Sequence, residues 1–193
     1  MTDAARRGRR TLVLLALVFL GPMAVAMALY FSGFQWRPEG TTEHGLLYQP
    51  ARPVPSLAMA SGGTNEADAA PRGKWRLIYV GPGNCPAACR QALLTMRQVR
   101  RALGRDLDRV ERLYVVTAGE VEAGFLEAEH PGIRVIADGA AAAELVTIAG
   151  GSGEGDILLA DPLGNLVMRY PAGTPMKGMH ADLQRLLKVS TIG

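Results

Sequence analysis

Twenty-one residues without a charge, Thr11 to Phe31 (TLVLLALVFLGPMAVAMALYF), follow directly on an arginine cluster. At 1.5 Å rise per residue a helix of that length covers about 30 Å, the depth of a bilayer's hydrocarbon core. Arg6, Arg7, Arg9 and Arg10 stand just before it, so the positive-inside rule keeps the N-terminus in the cytoplasm and sends the rest across the membrane. Tyr30, Phe31, Phe34 and Trp36 read as an interfacial aromatic belt. Gly21-Pro22 is tolerable inside a spanning helix, though it can kink it. The alternative is a cleaved signal peptide with Ala24-Val25-Ala26 as its processing site. Either reading exports the remainder to an oxidising compartment, where a cysteine pair can form a disulfide.

The four arginines, set against Asp3, account for the whole formal charge of +3. The exported remainder is neutral, which removes the argument for nucleic-acid binding that a basic chain would otherwise invite. A length of 193 residues excludes a large multidomain enzyme, and 48% hydrophobic with 20% charged residues excludes a disordered tail. Two cysteines exclude a multi-bridge framework, and a four-thiolate zinc or iron–sulfur site would need another subunit.

From Arg37 to Gly73 the chain turns to Pro, Gly, Ala, Ser and Thr, the composition of a tether. Within it, Gly45-Leu46-Leu47-Tyr48 and the prolines after it are expected to dock on the domain in extended form, and Ser61 to Asn65 to be mobile. From Lys74 onward two periodicities alternate. Trp75–Val80, Leu113–Thr117 and Ile133–Ala137 read as strands. Pro86–Gly104, Glu120–Glu129 and Gly139–Ile148 read as helices. Asp156–Ala160 and Leu166–Tyr170 flank the turn signal Asp161-Pro162-Leu163-Gly164-Asn165 and predict a hairpin, and Lys177–Val189 closes the chain as a helix. The order βαβαβαββα demands a mostly parallel central strand set with an antiparallel edge.

Cys85-Pro86-Ala87-Ala88-Cys89 falls where the first of these strands hands over to the first helix. With Cys85 at or near the N-cap and Pro86 at N1, the first thiol lies beside unpaired N–H groups and the positive end of the helix dipole, which favours thiolate. A pair four apart can reach the roughly 4.4 to 6.8 Å Cα separation of a disulfide. Two thiolates on adjacent turns can equally clamp one Cu(I). A passive structural disulfide, or two small buried hydrophobes, is the plainer reading.

A strand, a Gly/Pro turn, Cys-x-x-x-Cys at a helix start and a final ββα resemble the thioredoxin superfamily. With the N-terminal anchor, and with Met96-Arg97-Gln98-Val99-Arg100 in the first helix, they resemble the membrane-anchored Sco-like (SenC/PrrC) copper-delivery proteins of cytochrome c oxidase assembly. The resemblance implies an α/β thioredoxin-like fold after one transmembrane helix, and a copper chaperone or thiol–disulfide oxidoreductase acting through Cys85 and Cys89. Copper as Cu(I) is the implied cofactor, and oxidase subunits or assembly factors are the implied partners. Sco proteins carry a third copper ligand, a histidine just before the strand that leads into the Asp-Pro-Leu-Gly-Asn-like turn. Here that stretch reads Gly151-Ser152-Gly153-Glu154-Gly155-Asp156. Neither the thioredoxin Cys-x-x-Cys nor its proline before the same strand is present. A redox-inactive binding module with a structural disulfide is the alternative function.

Met176, Met179 and His180 are the candidates for a substitute ligand, His180 being the one named as a metal site, although Met179 also fits the apolar stripe of the last helix. His44 in the tether and His130 before Pro131 are further histidines, and a charged His130 would suit a helix C-terminus. Gly150-Gly151-Ser152-Gly153 lacks the Lys-Ser/Thr ending of a phosphate loop. Arg97, Arg100, Arg101, Arg105, Arg109 and Arg112 are expected to form a solvated basic face interleaved with Asp106, Asp108 and Glu111. The expected organisation is residues 1–10 as a cytoplasmic basic N-terminus, 11–31 as the transmembrane helix, 32–73 as a Pro/Gly-rich periplasmic tether and 74–193 as the thioredoxin-like domain. The expected location is a bacterial inner membrane, crossed once.

Overall fold

The computed structural model describes residues 3–31, 43–54 and 73–190. The expectations for Phe34, Trp36 and Ser61 to Asn65 fall outside them. The chain divides into two units, Met1–Thr41 and Thr42–Gly193. Among its described residues the first holds one helix, α1 (Asp3–Phe31), which contains Pro22 without being ended by it. Its stretch Arg7–Phe31 is long and apolar enough to cross a membrane, and Leu12, Phe19 and Tyr30 stand exposed along it.

The second unit is built on a six-stranded sheet. Its strands are β1 (Leu46–Pro53), β2 (Trp75–Gly81), β3 (Val110–Val116), β4 (Arg134–Ile136), β5 (Ile157–Ala160) and β6 (Asn165–Tyr170), in the spatial order β1-β6-β5-β2-β3-β4. β2, β3 and β4 run parallel, while β5, β6 and β1 add antiparallel neighbours. The helices are α2 (Ala87–Ala102), α3 (Ala123–Glu129), α4 (Gly139–Ala149) and α5 (Met176–Val189).

β2 is central and every residue of it is buried, as a near-continuous apolar run dictates. Leu77 and Tyr79 on one face join Cys89, Leu93, Met96 and Val99 of α2 and Met179, Leu183 and Leu187 of α5. Ile78 and Val80 on the other face meet Ala142, Leu145 and Ala149 of α4. Each large apolar side chain closed off in this way contributes about 1.5–3 kcal/mol. α4 is stopped at both ends by local chemistry. The Asp138 carboxylate accepts from the N–H groups of Ala140 at 2.9 Å and Ala141 at 3.2 Å, and Gly150 caps the other end at φ +75°. The β5–β6 turn is pinned by Asp161, which accepts from the N–H groups of Leu163 (2.9 Å) and Asn165 (2.8 Å).

Two expectations need correction. The stretch expected as a tether supplies β1, which pairs with β6 and carries Val54, 2% exposed, into the core under α4. The domain therefore starts upstream of Lys74. Tyr48 and Arg52 fix the strand by donating to the carbonyls of Ala149 (3.0 Å) and Ile148 (2.6 Å), and prolines are tolerated because the strand lies at the sheet edge.

The basic face is the second. α2 ends at Ala102, a 3₁₀ turn follows over Gly104–Arg109, and Arg112 is buried in β3, where it donates to the Pro131 carbonyl at 2.6 Å. Arg100 donates to Val110 (2.6 Å), Arg109 to Leu187 (3.0 Å) and Ser190 (2.8 Å), and Arg97 to Glu129. These arginines fasten backbone carbonyls of neighbouring elements. Glu111, expected among them, lies near Arg76 and Arg134 on the other side, each at 3.7 Å.

Candidate functional site

The carboxyl ends of β2 and β3 carry the cysteine pair, the end of a parallel strand set at which open α/β sheets present their sites. After Gly81 the chain turns tightly. The Cys85 N–H donates to the Pro82 carbonyl at 3.1 Å, and Cys85 adopts φ +37°, the one non-glycine residue with positive φ among those described. A side chain in that left-handed region is strained, and such strain persists only where the surroundings over-determine it. The left-handed residue cannot belong to the helix, so Pro86 is the N-cap, α2 begins at Ala87, and Cys85 stands one position further out than its sequence suggests.

Cys85 and Cys89 are joined in a disulfide with Cα atoms 5.0 Å apart, within the range such a bond requires. Both are covered in the oxidised chain, Cys85 at 1% exposure and Cys89 at 0%. Arg90 closes this side of the site. Its Nε donates to the Cys85 carbonyl (3.2 Å), its guanidinium stacks 4.1 Å above the Phe125 ring, and it pairs with Glu122 at 2.6 Å.

Beneath the disulfide lie two tyrosines. The Tyr114 hydroxyl donates to the Pro82 carbonyl, and its oxygen is 3.7 Å from Cys89 Sγ. The Tyr79 ring packs against that of Tyr114 with centroids 5.7 Å apart. Burial pushes both phenols up, Tyr114 to about 12, so both keep their protons at neutral pH.

The loop Gly151–Asp156 is tied down by Asp156. This buried carboxylate accepts from Arg169 Nε (2.8 Å) and Nη2 (2.7 Å) and from the N–H groups of Gly153 (2.7 Å) and Ala172 (3.0 Å). Gly155, at φ +86°, passes so close to α2 that a β-carbon there would sit 3.7 Å from the Ala88 β-carbon and 3.1 Å from that of Ala172. Next to it a groove of about 260 Å³ runs between Ala88, Thr95, Ala172, Met176 and Met179.

Of the residues considered for metal ligation, only the two cysteines come together. His180 Nε2 lies 3.1 Å from the Ala102 carbonyl, at the far end of α2, roughly 20 Å along the helix from Cys89. Met179 is in the core and Met176 in the groove. His44 Nδ1 faces the buried Asp182 at 3.1 Å, and Asp182 also accepts from the His44 N–H at 2.9 Å. His130 is buried edge-on to Phe125, and burial holds its pKa below the usual imidazole range, so it packs as a neutral ring and does not serve a helix end with charge. Among the described residues no three His, Cys, Asp or Glu side chains gather as a metal site. The donor set open to a Cu(I) cargo is thus two sulfurs, available once the disulfide is reduced.

Sequence reasoning missed Tyr114, the Asp156–Arg169 pair and the His44–Asp182 contact. Nothing in a strand such as LYVVT marks one tyrosine as lying under a sulfur, since that depends on the register of β3 against β2.

Sheet order, helix placement and a cysteine pair at the β2–α2 turn define a thioredoxin-like domain, here preceded by a helix of membrane-spanning length. The chain belongs to the transmembrane-like, thioredoxin-like family. The profile "Transmembrane-like, thioredoxin-like, C-terminal domain" matches residues 75–190, and "Transmembrane-like, N-terminal domain" matches residues 2–33. Among curated proteins none matches. Among solved structures the fold is similar to apo Sco1 from Thermus thermophilus, with 20% identity, 78% of this chain and 99% of that one covered, and a TM-score of 0.56. It is also similar to copper-bound yeast Sco1, with 20% identity, coverage of 62% and 81%, and a TM-score of 0.52. For copper-bound Arabidopsis thaliana ScoI the identity is 14%, the coverage 61% and 86%, and the TM-score 0.50. The fold expected from the resemblance, a Sco-like member of the thioredoxin superfamily, is therefore the fold adopted.

Proposed function

We propose that this protein is a membrane-anchored thiol–disulfide exchange factor that handles copper thiol chemistry during cytochrome c oxidase assembly, with Cys85 and Cys89 as its working pair. α1 is its anchor in a bacterial inner membrane, residues 1–10 remain in the cytoplasm, and the domain works in the periplasm. The observation that carries the reading is the disulfide itself, set on a strained turn at the carboxyl end of the parallel strands. As a purely structural bridge over so short a loop it would contribute about 2 kcal/mol, the low end for a disulfide, to a sheet already covered by helices on both faces.

Cys85, on the turn, takes the incoming nucleophile, and Cys89, in the helix, is the resolving thiol. Because both sulfurs are covered, exchange requires the Pro82–Pro86 turn and the Arg90 cover to open locally. The test is equilibration of the full chain in detergent with glutathione buffers of graded ratio, the thiols being counted by alkylation. A reversible two-electron transition supports the reading. A disulfide that stays closed across the series overturns it and leaves the redox-inactive binding module.

Copper transfer is the second reading, favoured by solved neighbours that hold copper, yeast Sco1 and Arabidopsis ScoI. Here the ion would be cargo on two thiolates, completed by a ligand from the partner. Titration of the reduced chain with Cu(I) against a competing chelator decides it, and loss of binding in Cys85→Ser is the expected control.

A further inference from the structure

The geometry points to Tyr114 as a third functional residue of the site, the hydrogen-bond donor that receives the Cys89 thiolate when the disulfide opens. The inference rests on the exchange chemistry proposed above. Three contacts carry it. The Tyr114 hydroxyl oxygen is 3.7 Å from Cys89 Sγ. Its proton is directed at the Pro82 carbonyl, which also accepts the Cys85 N–H at 3.1 Å and so is not orphaned if the phenol turns away. Cys89 itself is wholly covered, so a thiolate there has no water to solvate it and depends on a protein donor.

The step balances as follows. A thiolate of a partner dithiol attacks Cys85 Sγ, the Cys85–Cys89 bond breaks, and the electron pair leaves on Cys89 Sγ. The Tyr114 O–H swings from Pro82 to that sulfur and makes a charge-assisted hydrogen bond. The partner's second thiolate then displaces Cys85 from the mixed disulfide. The partner's two protons end on Cys85 and Cys89, so one dithiol is oxidised and one disulfide is reduced by two electrons. The reverse reaction uses the same contact, with the thiolate of Cys89 held ready for attack.

The experiment uses the full chain in detergent micelles, as wild type, Tyr114→Phe and Tyr79→Phe. After chemical reduction, the pH dependence of iodoacetamide alkylation is followed separately at Cys85 and Cys89 by mass spectrometry. Reduction of the oxidised forms by dithiothreitol is timed in parallel. Tyr114→Phe keeps the ring and removes the donor. Its expected result is a tenfold or greater fall in the thiolate fraction of Cys89 at a given pH, a rise of about one pKa unit or more, with reduction slowed by a similar factor. Tyr79→Phe, a buried hydroxyl deletion beside it, is expected to leave Cys89 unmoved.

Equal behaviour of the two variants, or a Cys89 titration that changes less than twofold in Tyr114→Phe, overturns the inference. If Tyr114→Phe does not fold, replacing tyrosine throughout with 3-fluorotyrosine, a stronger donor, decides the matter. The Cys89 pKa should then fall, and an unchanged value overturns the role. The titration is made on chemically reduced protein. A disulfide inert to glutathione therefore removes the proposed function while the thiol comparison still decides Tyr114.

Discussion

Replacing Asp156 with alanine removes a carboxylate that four donors share: two Arg169 nitrogens at 2.8 and 2.7 Å, Gly153 N at 2.7 Å and Ala172 N at 3.0 Å. Breaking a buried pair by deleting one member costs about 3–5 kcal/mol. The Arg169 side chain is 25% exposed and keeps its bond to the Gly151 carbonyl at 2.9 Å, so the freed guanidinium recovers part of its solvation. The two backbone N–H groups lose their acceptor at about 1 kcal/mol each. Together these place the loss near 3 kcal/mol, which for a domain of this size is roughly 6–12 °C in Tm. The assay is urea unfolding of the oxidised chain in detergent, followed by fluorescence of the buried Trp75. Hydrogen exchange supplies the location, with protection expected to fall at residues 151–156 and 171–174 and to hold in β2. A loss below about 1 kcal/mol, or exchange that rises uniformly, would refute the assignment of Asp156 as the tie between these loops.

Three further outcomes are expected. Gly178→Ala would normally favour a helix by about 1 kcal/mol, but a β-carbon there would lie 2.5 Å from His44 Cγ. The variant should therefore lose stability and show faster hydrogen exchange over residues 43–48, and a gain in Tm would contradict this. His130 is held below the usual imidazole range by burial and by Arg97 and Arg112, so the unfolded chain takes up its proton first. Its contribution is complete above about pH 6.5 and is lost as the pH falls through that value toward the folded pKa, and His130→Gln should flatten the acid side of the stability curve. Reducing the disulfide should cost about 2 kcal/mol for so short a loop and leave the fold intact. Circular dichroism with and without reductant checks this, and wholesale unfolding would contradict it.

The helices and inner strands were readable because their periodicity is the packing. Cys89, Ala92, Leu93, Met96, Val99 and Leu103 recur at helical spacing in the sequence, and all are buried. The hairpin followed from Asp161-Pro162-Leu163-Gly164-Asn165, where side-chain chemistry determines the turn locally. β1 was readable only as an extended segment that docks. Its prolines argue against a strand, and its stability comes from β6, more than a hundred residues away in sequence. The cysteine pair marked the candidate site through its spacing. The coverage of both sulfurs, the left-handed Cys85 and the tyrosine beneath arise from the apposition of the β2 and β3 ends, which local sequence does not encode. Arg112 misled for a related reason, since an arginine in a charged stretch reads as surface until β3 carries it inward.

β1 also changes where the domain can be cut, because the strand it pairs with, β6, lies near the other end of the sequence. A fragment begun at Lys74, where the composition changes, would discard the first strand together with Val54 and His44. It would leave the backbone of β6 open for pairing with another chain, so a self-sufficient soluble fragment has to begin before Glu43.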